Sequence, residues 1–144
     1  MAVDETARVE DSTLGDVEIR EYVTIHDSEI DDSCRIYERT SIKKSDIDGP
    51  TDINANAYIE NADIGSEVQI GPNAAAVGVT HDRDGDGMTF REDAFETVVL
   101  EDCAFVGAGA VVLPGVTVGE DAVVGAGVTV SEDVAAGAVV RTDR

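Results

Sequence analysis

All ten isoleucines of this chain stand in one series: Ile19, Ile25, Ile30, Ile36, Ile42, Ile47, Ile53, Ile59, Ile64 and Ile70. Their spacings run 6, 5, 6, 6, 5, 6, 6, 5 and 6, so the unit is 17 residues cut into pieces of six, five and six. Leu14 extends the series backwards by one piece of five. The second half keeps the beat with Leu100, Val106, Val112, Val118, Val124 and Val130, each six apart. Small residues recur at the fifth place of each piece: Ala104, Ala110, Val116, Ala122, Val128 and Val134. A six-residue period does not suit an α-helix, where residues six apart sit about 600° round. Nor is it the sustained alternation of a hairpin sheet. It suits a chain that makes a short strand, turns a corner and repeats. Three pieces then close a triangular coil, and coils stack at roughly 4.8 Å, the parallel-strand spacing. No piece can bury its aliphatic residue alone, so stacking must supply the core.

Composition agrees with that core. Apolar residues are 42% of the 144, but aromatics are only 4%, with no Trp. The interior is therefore built from Ile, Val and Ala. Acids outnumber bases 31 to 10, a formal charge of −21. Such a surface repels phosphate backbones and anionic lipid, so nucleic acid and membrane are excluded as expected partners. No apolar run is long enough to span a bilayer. The first residues carry Asp4, Glu5 and Arg8 and no apolar leader core, so a cytoplasmic location is expected. Two cysteines, Cys34 and Cys103, are too few for a disulfide framework or a structural zinc site. They read as structural. The acidity covers the whole chain while lysine is confined to Lys43 and Lys44, a composition resembling that of halophilic proteins. An ordinary acidic protein is the alternative.

The repeat, and above all VGAGAVVLPGVTVGEDAVVGAG over 106–127, resembles the hexapeptide-repeat acyltransferases. That resemblance implies an all-β fold, a left-handed parallel β-helix of about seven coils over residues 14–140, within a single domain 1–144. The left hand comes from the resemblance alone, since the general crossover rule favours the right. The resemblance further implies an acyl-CoA-dependent acyltransferase, acetyl-CoA as co-substrate, a homotrimer, and a sugar or sugar-nucleotide acceptor for O- or N-acetyl transfer. The alternative is a non-catalytic trimeric β-helix module, structural or regulatory.

The repeat is interrupted once. From Ala76 to Leu100 the chain takes 24 residues, where two six-residue pieces need 12. We therefore expect an inserted loop of about twelve extra residues, near 80–97, containing THDRDGDGMTFRED. Loops on rigid scaffolds are where function concentrates. His81 opens this loop. By the resemblance it is the general base that deprotonates the acceptor, with direct attack on the thioester. Asp82, Arg83, Arg91 and Phe105 are the expected acceptor contacts. The other reading of His81 is a turn histidine hydrogen-bonded to Asp82 or Asp84. His26, three coils earlier, is too far away to share a metal with it.

Asp82, Asp84 and Asp86 occupy places 1, 3 and 5 of a calcium loop, with Gly87 at place 6. Place 12 is Asp93, where such loops prefer Glu. No metal is expected, and these four are the only calcium candidates. For the CoA arm, the resemblance implies Gly107, Ala108, Gly125, Ala126 and Ser131, with Arg141 near the phosphates. Ordinary coil packing explains the small residues equally well. Two departures stand out: Glu132 replaces a lysine common in the family, and the basic tail is absent, leaving Arg141 and Arg144.

Overall fold

The computed structural model describes residues 1–81 and 93–142. The described chain is a parallel β-solenoid, with no helix among those residues. Strands of two or three residues follow one another around a triangle and stack into three sheets. The first face holds eight strands, from Ala2–Val3 to Val139–Val140. The second holds seven, from Arg8–Glu10 to Thr129–Val130, and the third six, from Thr13–Leu14 to Thr117–Val118. The architecture is the left-handed parallel β-helix expected, of about eight turns. The coil begins earlier than the isoleucines announce: Ala2–Val3 already pairs with Glu18–Ile19. Val3 and Val9 fill the aliphatic places there, so the repeat reaches about a dozen residues farther towards the N-terminus than the expected start at residue 14.

Every isoleucine of the series is buried, none more than 2% exposed. The register stacks like on like, with Ile36, Ile53 and Ile70 in one column of the first face and Ile25, Ile42 and Ile59 in one column of the second. The fifth-place residues Ala104, Ala110, Val116, Ala122, Val128 and Val134 are buried too. Each fills the space inside a corner that a larger side chain would overfill. Cys34 holds one of these places and is fully buried, which pushes its thiol up to about 11. At the second corner the small residue is serine in the early coils. Ser28 Oγ donates to the His26 carbonyl and accepts from the Ser45 amide, and Ser45 Oγ repeats this with Lys43 and Ala62.

The corners carry left-handed backbone at twelve non-glycine residues, among them Asp27, Arg39, Lys44, Asn61 and Cys103. This conformation costs an L-residue roughly 1–2 kcal/mol. Stacking offsets it, because ten of the twelve turned amides donate to a carbonyl one coil below, among them Asp27 to Glu10, Lys44 to His26, Asn61 to Lys43 and Cys103 to Ser66. Glycine serves a different end at Gly71 and Gly107. A Cβ there would lie 2.6 Å from the Ala108 and Ala126 nitrogens of the next coil, so only hydrogen fits between the layers.

The insertion sits at one corner, between adjacent faces. Ala76 pairs with Ile59, and Leu100 pairs with Ile64. The step that takes five residues in one coil takes 24 in the next, so no six-residue piece is skipped. The excess is therefore larger than the twelve residues expected from counting two pieces. Its base is an antiparallel hairpin of Val79–His81 with Asp93–Phe95.

Candidate active site

The hairpin leaves the second corner, between the second and third faces, and its register sets His81 directly across from Asp93. His81 Nδ1 lies 3.0 Å from Asp93 Oδ1. Two-thirds of the His81 side chain is open to solvent. A carboxylate beside Nδ1 favours the neutral tautomer with its proton there and the lone pair on Nε2. An imidazole beside a carboxylate is an arrangement that general-base catalysis can use. Asp82 and Asp84, the partners of the turn reading, lie outside the described residues.

Asp93, the twelfth place of the candidate calcium loop, is in the structure the neighbour of His81. Only the hairpin register discloses the pairing, since twelve residues separate the two. Asp82, Arg83, Asp84, Asp86 and Arg91 lie outside the described residues. Among the described residues, no three potential ligands gather into a cation site.

The base of the hairpin is held by the coils beneath it. The Glu96 amide donates to the Gly78 carbonyl at 2.9 Å, closing the hairpin where it leaves the coil. Lys44, two coils lower on the same corner, places Nζ 5.1 Å from the centre of the Phe95 ring, a cation–π contact. His26 stands apart on the second face, in register with Glu10 and Lys43, its Nδ1 3.7 Å from Glu10 Oε2.

The remaining expected residues divide between two corners. Ser131 follows the strand Thr129–Val130, so it shares the second corner with His81, in a later coil. Gly107, Ala108, Gly125 and Ala126 line the first corner, between the first and second faces, and Arg141 continues that column. Phe105 faces outward from the first face, in register between Gln69 and Val123, and is 43% exposed. The first face lies across the prism from the corner that bears His81. Within one chain the structure does not bring Phe105 or the first-corner residues to the histidine.

The first corner is bare of bulky side chains. Gly109 and Gly127 have open space where a Cβ would stand, and Ala108 and Ala126 are exposed beside them. The result is a smooth ledge of backbone and methyl groups spanning two coils. Arg141 is the only base among the described residues from 93 onwards.

Cys103 occupies a left-handed turn at the third corner, as expected of a turn position. Its Sγ donates to Glu67 Oε2 at 3.3 Å, and that bond, ahead of partial burial and nearby acids, pushes the thiol up to about 11. It is therefore a poor nucleophile near neutral pH.

Fold and repeat together define a parallel β-helix built on a six-residue period. A family model described as bacterial transferase hexapeptide (six repeats) matches residues 97–132. No curated protein sequence matches the chain. Among solved structures, a variant of AntD, an N-acyltransferase from Bacillus cereus in complex with dTDP-4-amino-4,6-dideoxyglucose and coenzyme A, is 19% identical with a TM-score of 0.65, covering 95% of this chain and 73% of its own. A hexapeptide-repeat acetyltransferase from Vibrio cholerae, complexed with acetyl coenzyme A, is 24% identical with a TM-score of 0.60, over 89% of this chain and 64% of that one. PerB from Caulobacter crescentus, solved with CoA and GDP-perosamine, is 26% identical with a TM-score of 0.60. That match covers 96% of this chain and 52% of PerB, so the chain spans about half of that protein's length. Among the described residues no helix is long and apolar enough to cross a membrane.

Proposed function

We propose that this protein is an acyl-CoA-dependent acyltransferase that acetylates a sugar or sugar-nucleotide, with His81 as its general base. The observation that carries the reading is the His81–Asp93 pair, 3.0 Å apart on a hairpin that interrupts an otherwise regular solenoid. A coil alone needs neither the hairpin nor a histidine fixed by a carboxylate. The ligands in the similar structures, CoA and amino-sugar nucleotides, support the choice of donor and acceptor class.

The chemistry follows from the pair. His81 Nε2 takes the proton from the acceptor hydroxyl or amine as that atom's lone pair attacks. Acyl-CoA supplies an activated thioester carbonyl as the electrophile. The C–S bond breaks, and the proton held on His81 passes to the departing thiolate, so the base is regenerated. Asp93 stabilises the transient imidazolium through Nδ1. The ledge at Gly107, Ala108, Gly125 and Ala126 would carry the CoA arm, with Arg141 farther along it, Ser131 would reach that arm from the second corner, and Phe105 would meet the acceptor. Because the ledge and Phe105 stand away from His81 in one chain, the reading requires a neighbouring copy. A homotrimer about a threefold axis supplies it, setting the histidine corner of one chain against the ledge of the next.

Acetyl-CoA at a hundredfold excess over its dissociation constant should stabilise the native state by about 2.7 kcal/mol, a rise in melting temperature of several degrees. The same sample should sediment at roughly 45 kDa, three times the 15.1 kDa chain. No shift with saturating acetyl-CoA would favour the non-catalytic module, and a monomer would remove the composite site.

A further inference from the structure

We propose that Asn61 is a positioning residue that fixes the hairpin carrying His81, an inference that rests on the reading of His81 as the base. Asn61 occupies the second corner directly beneath the point of insertion. Its side chain spans both ends of the hairpin. Nδ2 donates to the Gly78 carbonyl at 2.8 Å, the last residue before the hairpin. Oδ1 accepts from Thr97 Oγ1 at 3.4 Å, just after it. The backbone adds a third tie, since the Asn61 carbonyl accepts from the Val98 amide at 3.2 Å.

Asparagine suits this place for two reasons. It carries a donor and an acceptor on one planar group, and it tolerates the left-handed φ of 51° found there. The corner residues in the same column, Asp11, Asp27 and Lys44, share that backbone but lack the pair of functions: a carboxylate cannot donate and an ammonium cannot accept. Gly78 is matched to it. A Cβ on Gly78 would fall 2.1 Å from the Asn61 carbonyl oxygen, so the entering strand presses on Asn61 with no room for a side chain.

The lever is long. His81 stands three residues beyond Gly78, about 10 Å at strand spacing. A tilt of some 6° at the root therefore moves the imidazole by about 1 Å, and a misplacement of that size can cost on the order of 10²-fold in rate. Lys44 over Phe95 braces the returning strand alone, whereas Asn61 holds both.

The test compares Asn61→Gly, which accepts the same φ and loses both side-chain bonds, with Thr97→Val, which loses only the exit bond. Each is assayed for acetyl transfer and for hydrogen exchange by mass spectrometry. Asn61→Gly should lower kcat by about 10–100-fold while KM for acetyl-CoA stays within about twofold. Exchange of Val79–His81 and Asp93–Phe95 should rise at least about tenfold, while Val68–Ile70 and Phe105–Val106 stay protected. Thr97→Val should move the same quantities less, in the same direction. Unchanged kcat with unchanged hairpin exchange overturns the proposal. So does a rise in exchange over all strands in both variants, which would make Asn61 a residue of general stability. Should Asn61→Gly not fold, Thr97→Val decides by the same criteria. The two hypotheses fail separately: turnover surviving in His81→Ala removes the base, while hairpin exchange still reports on Asn61.

Discussion

Acyl transfer will fall by roughly 10²–10⁴-fold when His81 is replaced by alanine, the usual contribution of a general base. The loss should lie in kcat. His81 is largely exposed on a hairpin outside the aliphatic stack, so the melting temperature should hold. Binding of acetyl-CoA should survive as well, because the ledge at Gly107, Ala108, Gly125 and Ala126 is built from a different corner. Asp93→Asn leaves the ring in place but weakens its hold, and should cost at least about 10-fold, up to the ~10⁴ seen for a buried triad. The measurement is steady-state turnover alongside thermal shift with acetyl-CoA. Full turnover in His81→Ala would move the base elsewhere; parent protein that neither binds nor turns over acetyl-CoA would leave a structural module.

The second large effect is on stability in dilute buffer. Lowering salt from about 2 M to tens of millimolar lengthens the screening distance from a few ångströms to well over 10 Å. The melting temperature should drop on the order of 10 °C, because a chain of this size moves roughly 3–4 °C per kcal/mol. The third face locates much of the cause. Glu29, Asp46 and Asp63 point outward one above another in exact register, with Asp48, Asp31 and Asp102 along the adjoining corner. Burial raises the Asp48 carboxyl above its usual range, and Asp31, Asp102, Asp46 and Asp63 add to it. A raised carboxyl is a cost once ionised: its favourable share is present below the unfolded value and is lost as pH rises through the folded one. The cost of ionising Asp48 should therefore ease as pH falls into the carboxylate range. The opposite sign holds for Asp52, whose carboxyl the Arg35 guanidinium keeps below its usual range. Its contribution is lost only under stronger acid. Asp46→Asn should narrow the gap between low and high salt. A melting temperature flat across the salt range would defeat the reading of a surface adapted to brine.

The stack was legible in the sequence because one physical demand recurs at every coil. A position facing the prism axis must be aliphatic, and all ten isoleucines obey. The first coil escaped notice because Val3 and Val9 stand in for isoleucine at a frayed end, where burial is incomplete. The size of the insertion was misjudged because the spacing alone did not say whether Leu100 belonged one face or two faces after Ala76; the pairing with Ile64 decides it. His81 was legible as a histidine at a break in the repeat. Asp93 and Asn61 were not, since their roles depend on a hairpin register and on the vertical neighbour 17 residues below Gly78. Among the described residues, most left-handed corners use residues other than glycine. A hydrogen bond between coils makes that possible, and no single stretch of sequence reveals it.

The unbroken register on either side of the hairpin has a consequence for how such a protein diversifies. Leu100 resumes its column above Ile64 as though the intervening residues were absent. The ends of the excursion meet within one hydrogen bond, so lengthening it adds only about 0.6 kcal/mol of closure entropy per doubling. Each corner of each coil is thus an interchangeable socket on a ruler graduated every ~4.8 Å. Chemistry can be plugged in, extended or moved by whole coils while the graduation is conserved, and the scaffold and the reaction can be inherited on separate terms.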